Sequence, residues 1–362
     1  HGDTHLDSHR GLPTVSRNRD ELKRIDLYPF QKGIDAGVDI VMTAHILFAG
    51  LDPEYPATLS TKILQDLLRR EMGFQGVILS DSMNMGAMKR HYDPHKATIQ
   101  AIQAGVDLIM LAEEHYDHDE ANYLANQRAL IQVVKHAVEE GKLSAARVND
   151  AVQRVLQIKA KYLSERGMSK PEPDLVGSAA NRAIELNAAR AAVAVLSDTH
   201  HLLPLAADQP IVLVNTTARE NYAALVATRG IGPNQQIAAF DHFTEHLRRQ
   251  NNNVVMLSAE DFLRDPEMEI PEGHIVLAVT ENYPLPGMDF DQSTQVSIIQ
   301  KLVERVAGRL IVVALRDPYE LANLPALPTY VCAFSFRPCS AQAAVDVLFG
   351  ACESSGTLPV SV

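Results

Sequence analysis

The sequence predicts an α/β protein in two parts, each built from parallel strands with helices between them. Three observations predict it. Short apolar runs that end in polar residues alternate with stretches of helical spacing. A polar, proline-containing stretch near residue 170 divides the chain. No run of eighteen apolar residues exists, so no transmembrane helix is expected.

The first part reads in order. Gly37–His45 is an apolar run closing in Thr43-Ala44-His45, a buried parallel strand that feeds a loop. Ser60 to Met72 places Ile63, Leu64, Leu67, Leu68 and Met72 at helical spacing, and Gly73 follows as a stop. Gly76–Asp81 is a second strand with a polar end. Asp93-Pro94 starts a helix that runs to Gly105, and Val106–Leu111 is a third strand. Two helices follow, roughly Glu120–Glu140 and Ser144–Leu163, the second capped by Ser144.

The domains are expected at 1–165 and 175–362, with 166–174 as the linker. The second part restarts with a helix at about Ser178 to Val193. Apolar runs then recur at Ile211–Val214, Val254–Leu257, Ile275–Val279, Leu310–Ala314 and Tyr330–Phe334, with helical stretches between several of them. That pattern gives a sheet with helices on both faces.

Composition narrows the function. A formal charge of −12 argues against a nucleic-acid binder, which usually carries a basic face. The three cysteines, Cys332, Cys339 and Cys352, have no metal-ligand spacing and read as ordinary thiols.

Three polar constellations carry candidate chemistry. His1–His9 holds three His and three Asp or Ser positions in one short run. It is a solvated loop, a metal-binding end, or an Asp7–His9 pair. In such a pair the carboxylate fixes the imidazole tautomer and raises its basicity, as general acid/base work near neutral pH requires. Ser80–Met85 puts Asp81 at a strand end, either as a helix cap or as a displayed carboxylate nucleophile. His45 ends the preceding strand, as a loop histidine or a site residue. In parallel α/β folds chemistry gathers at these strand ends.

Together these segments resemble glycoside hydrolase family 3 of the β-N-acetylglucosaminidase type. His1–His9 is similar to the end of the signature Lys-His-Phe-Pro-Gly-His-Gly-Asp-Thr-x-x-Asp-Ser-His. Asp35–His45, Pro56–Leu59, Arg70–Met85 and Ala104-Gly105-Val106-Asp107 look like the family in the same order. The resemblance covers about the first 165 residues. It is looser in the second part, where Gly356–Val362 is the clearest match.

The resemblance implies the C-terminal part of a (β/α)8 TIM-type barrel, followed by an α/β sandwich domain. It implies Asp81 as nucleophile, His9 as acid/base and Asp7 as the residue that orients His9, with retention by double displacement. With a His–Asp pair in place of a carboxyl acid, the imidazole is neutral after it gives up its proton and avoids repelling an anionic group near the site. His45 and Met83 are expected at the substrate. The expected substrate is a carbohydrate with a terminal non-reducing β-linked N-acetylglucosamine, from cell-wall glycans or muropeptides. No cofactor and no metal are implied. A β-glucosidase or β-xylosidase of the same family, and a non-catalytic carbohydrate-binding protein, are the alternatives.

The chain begins at the final His-Gly of the signature. By the resemblance five barrel strands, with sugar-holding Asp, Arg and Lys-His residues, precede that point. The N-terminal half of the barrel is then the expected partner, and this chain alone is expected to be inactive and of low stability in residues 36–111. Two-domain members are often exported or surface-attached, which favours the cell envelope or exterior over the cytoplasm.

Overall fold

The computed structural model describes residues 1–112, 120–163, 172–222, 237–283 and 290–361. It divides into two compact units, His1–Lys170 and Pro171–Val362. Most of the expected linker lies outside the described residues, which resume at Glu172.

In the first unit, strands β1 (Thr14–Val15), β2 (Ile40–Met42), β3 (Leu47–Phe48) and β4 (Val77–Leu79) form two parallel pairs, β1 with β3 and β2 with β4. Val41 and Ile78 enter a core with Ile63, Leu64, Leu67 and Leu68 from one helix and Ala97, Ala101 and Ala104 from the next. The latter helix, Pro94–Ala104, starts as the sequence predicts: Asp93 accepts the Lys96 N–H at 2.9 Å and Pro94 occupies the first turn.

Two expectations need correction. The Ser60–Met72 helix spans Lys62–Glu71 and is a wide-turned π-helix, in which the Met72 N–H reaches the Leu67 carbonyl at 2.8 Å. Its apolar residues still stack on one side, so their spacing does not reveal the wider turn. Gly73 follows with φ of +76°, the left-handed conformation that lets the chain leave the helix.

The third strand, Val106–Leu111, is reduced to one parallel bridge between Leu79 and Leu108. The segment still runs beside β4, with the Ser80 N–H on the Leu108 carbonyl at 2.9 Å. The ladder stops because the Met110 N–H turns to the Ser80 hydroxyl, at 2.8 Å, in place of a main-chain carbonyl.

At the starting end of β4 lies an ionic cluster. The fully buried Asp107 carboxylate meets Arg69 at 2.5 Å, also pairs with Arg147, and accepts the Ile78 N–H at 2.9 Å. Arg69 is tied to the carbonyls of Phe74 and Gly76. Burial pushes its guanidinium below the usual value, and the charge of Asp107 opposes that shift.

The second unit holds a six-stranded sheet of β5 (Ala194–Asp198), β6 (Ile211–Asn215), β7 (Val254–Leu257), β8 (Ile275–Thr280), β9 (Leu310–Ala314) and β10 (Thr329–Cys332). Their order is β5-β10-β9-β8-β6-β7, parallel except for β5 against β10. Alternate residues face opposite layers. Leu213, Leu277, Val279, Ile311 and Val313 pack with Phe240, Phe243 and Leu247 of helix Ala239–Gln250. Val212, Val214, Val276, Ala278 and Val312 pack with Ile298, Ile299 and Leu302 of helix Ser293–Val306.

The sequence reading misses β5. Its chain passes from helix Ala179–Ala192 into the strand with only Val193 between, so no glycine or proline marks the change.

Candidate active site

Strands β2 and β4 run parallel, and their finishing ends lie side by side: the Thr43 N–H reaches the Leu79 carbonyl at 2.8 Å. Beyond that point the two chains carry Thr43-Ala44-His45 and Ser80-Asp81-Ser82. The contrast with the other end is plain. There, a buried ionic cluster joins elements; here, a partly exposed carboxylate is displayed.

Asp81 does not cap a helix. Its Oδ1 accepts the N–H of the next residue, Ser82, at 2.7 Å, and the following short helix starts at Gly86 with Met85 before it. The backbone after Asp81 is held on its inner side. The Met83 N–H bonds the Met110 carbonyl at 3.0 Å, and the Asn84 amide bonds the Ala112 carbonyl at 2.7 Å.

Asp7 and His9 form the pair that their spacing suggests. Asp7 Oδ1 lies 2.7 Å from His9 Nδ1 and also accepts the His9 main-chain N–H at 2.9 Å. Their side chains are about half exposed, at 52% and 43%. The Asp7 carbonyl accepts the N–H groups of Arg10 and Gly11, which closes a tight turn. Partial burial acts to raise the Asp7 carboxyl. The His9 N–H, the His9 ring and the charges of His9 and Arg10 outweigh it and hold Asp7 below the usual carboxylate value.

This loop is fastened to the chain that follows Asp81. The Ala87 N–H bonds the Ser8 carbonyl at 2.9 Å, and the Arg90 guanidinium bonds the Arg10 carbonyl at 2.6 Å. Gly86 permits the approach: a Cβ there would sit 2.1 Å from the His9 carbonyl oxygen. Ser8 is fully buried, and its hydroxyl meets His1 Nε2 at 2.5 Å. Ser8 thus anchors the His1–His9 run, most of whose other residues are exposed. Among the described residues no group of three or more His, Cys, Asp or Glu could hold a metal.

His45 and Met83 sit beneath this surface. His45 is 1% exposed, with Nδ1 at 2.9 Å from the Thr58 hydroxyl and Nε2 at 2.8 Å from the Ser82 carbonyl. Met83 is buried in the apolar core. Burial places both behind the displayed carboxylate. The structure thus fastens the Asp7–His9 loop to the backbone at Gly86, Ala87 and Arg90, a few residues beyond Asp81. It adds Thr58, Gly86 and Ser8, which sequence reading passed over. Only the glycine left a signal, a small residue just after an unusual Met-Asn-Met run.

With this geometry in place, comparison with known proteins is informative. Residues 1–158 match the family described as the glycosyl hydrolase family 3 N-terminal domain. The β-hexosaminidase A of Pseudoalteromonas piscicida is 25% identical over 100% of this chain and 64% of its own length. A β-hexosaminidase of Nitrosomonas eutropha is 34% identical over 44% of this chain and 43% of its own. A solved family 3 β-N-acetylglucosaminidase from a Paenibacillus species is similar at 26% identity and a TM-score of 0.76, over 99% of this chain and 65% of that one. The chain thus spans less than two thirds of the length of these relatives.

Proposed function

From a chain that belongs, through its residues 1–158, to glycosyl hydrolase family 3, we propose a retaining β-N-acetylhexosaminidase site made by Asp81, His9 and Asp7. The substrate is a glycan or muropeptide with a terminal non-reducing β-linked N-acetylglucosamine. The observation that carries this reading is the Asp7–His9 pair, at 2.7 Å, fastened to the backbone that follows Asp81.

The chemistry runs in two displacements. The Asp81 carboxylate attacks the anomeric carbon as His9 gives a proton to the leaving oxygen. A glycosyl ester on Asp81 results. His9, now neutral, takes a proton from water, and the water oxygen displaces Asp81 with net retention. Asp7 is well suited to its part. Held below the usual value, it stays ionised, accepts the Nδ1–H of His9 and leaves Nε2 to exchange the proton. As the ring charges, the adjacent carboxylate stabilises it.

The test is release of chromophore from aryl β-N-acetylglucosaminide, aryl β-glucoside and aryl β-xyloside, with Asp81→Asn as control. The reading expects little turnover by this chain alone and, with the N-terminal half of the barrel supplied, turnover of the aminosugar ahead of the other two, reduced to background by the control. Preferential turnover of the glucoside or xyloside would overturn the aminosugar assignment. Turnover that survives Asp81→Asn would overturn the nucleophile.

A further inference from the structure

Resting on that reading, we infer that His45 is a positioning residue: it fixes the Ser82–Met83 peptide directly behind Asp81 and does not bind the sugar. The peptide is held at both of its polar ends. The Ser82 carbonyl lies 2.8 Å from His45 Nε2, and the Met83 N–H lies 3.0 Å from the Met110 carbonyl. One residue earlier, the Ser82 N–H is the donor that Asp81 Oδ1 accepts at 2.7 Å. Ser82 is therefore clamped on the side away from Asp81 while it orients the carboxylate on the other.

The hydrogen-bond chemistry assigns the ring. A carbonyl only accepts, so Nε2 carries the proton that reaches Ser82. In the neutral ring Nδ1 is then an acceptor, 2.9 Å from the Thr58 hydroxyl, whose single proton is shared with the Ala44 carbonyl at 3.1 Å. The Thr43 hydroxyl, 2.8 Å from Thr58 Oγ1, supplies a donor in turn. Thr43 lies just past the end of β2, and Thr58 belongs to the 3-10 turn Ala57–Leu59. Thr58, at 0% exposure, and Thr43, at 8%, are closed off from solvent with His45. The chain Thr43 to Thr58 to His45 to Ser82 thus transmits the position of β2 and that turn to the backbone of the nucleophile. A sugar hydroxyl has no open route to either ring nitrogen.

The experiment compares His45→Phe and His45→Gln in the full chain. Phenylalanine keeps the volume without a donor; glutamine restores an N–H that can reach the Ser82 carbonyl. Two readouts are used: kcat and KM on an aryl β-N-acetylglucosaminide, and hydrogen exchange of the Met83 amide. With His45→Phe, kcat falls by about 100-fold, the cost typical of a reacting group displaced by an ångström. KM stays within about twofold, because ground-state binding is untouched. Met83 exchange accelerates, and His45→Gln recovers most of both. A raised KM at unchanged kcat would show direct sugar contact and overturn the inference. So would a glutamine variant as poor as phenylalanine in both readouts. Should the wild-type chain by itself cleave no aryl glycoside, as expected of this chain alone, the kinetic readout is taken with the N-terminal half of the barrel supplied. Met83 exchange still decides the role of His45, since unchanged protection in His45→Phe would refute the clamp.

Discussion

The two units treat their strands differently. Every residue of β8 is buried, and β9 on one side and β6 on the other cover its edges. In β2 only Val41 is buried; Ile40 and Met42 are 40% and 47% exposed. Unit two covers its middle strands on both faces, while the edge strand β7 leaves Val255 and Met256 at 46% and 41% exposed. Unit one uses short strands: past the end of β4 it displays Asp81, past the end of β2 it buries Thr43 and His45, and it fastens the starting end of β4 by ions. Burial of a strand on both faces stabilises a layer, whereas a displayed strand end offers a site.

That comparison can be broken at several points, beginning where the largest effect is expected. Asp107→Asn removes the carboxylate that Arg69 shares with Arg147. Loss of one member of a buried ion pair costs about 3–5 kcal/mol. Denaturant titration should show unit one unfolding earlier, with the transition of unit two unmoved. A shift of both transitions together would mean that the units are not separately stable.

Next comes Gly86→Ala. A Cβ placed 2.1 Å from the His9 carbonyl forces the acid/base loop off its seat. Turnover should fall about 100-fold, as for a displaced catalytic group, while the melting of unit two stays constant. Wild-type kinetics in this variant would mean that the loop is not held by that contact.

The smallest effect concerns pH. Burial pushes the Glu320 carboxyl of unit two above its usual value; Thr280, Tyr330 and its own N–H oppose that shift, and Asp317 adds to it. Its Oε2 has no hydrogen-bond partner. A carboxyl whose folded value is raised takes up a proton on folding. Its contribution is fully present below the unfolded value and is lost as pH rises through the folded one. Unit two should therefore melt at lower temperature as pH climbs above the ordinary Glu range, with a slope of at most about 1.4 kcal/mol per pH unit. Glu320→Gln should flatten that slope; an unchanged slope would assign it to other groups.

Much of the architecture was readable in advance because it follows from local chemistry. Asp93-Pro94 announces a helix start by supplying a cap and a preset φ, and the helix begins there. The five apolar runs of the second half all overlap strands, and in the middle of the sheet the reason is that a doubly covered strand must be apolar on both faces. Other features were hidden. Val106–Leu111 reads as a strand, yet Ser80 on another segment competes for its N–H groups. Ile63, Leu64, Leu67 and Leu68 would face one side in either kind of helix, so the π-turn left no trace.

By itself, the sequence determined which residues could do chemistry. Asp81 at a strand end, and Asp7 two residues from His9, are covalent facts with local consequences. The tertiary structure decided what holds them. Gly86 beside His9, Thr58 beside His45, and His45 against Ser82 join segments far apart in the chain. Such contacts depend on which strand lies next to which, and that choice is made by packing of the whole unit rather than by any local run of residues.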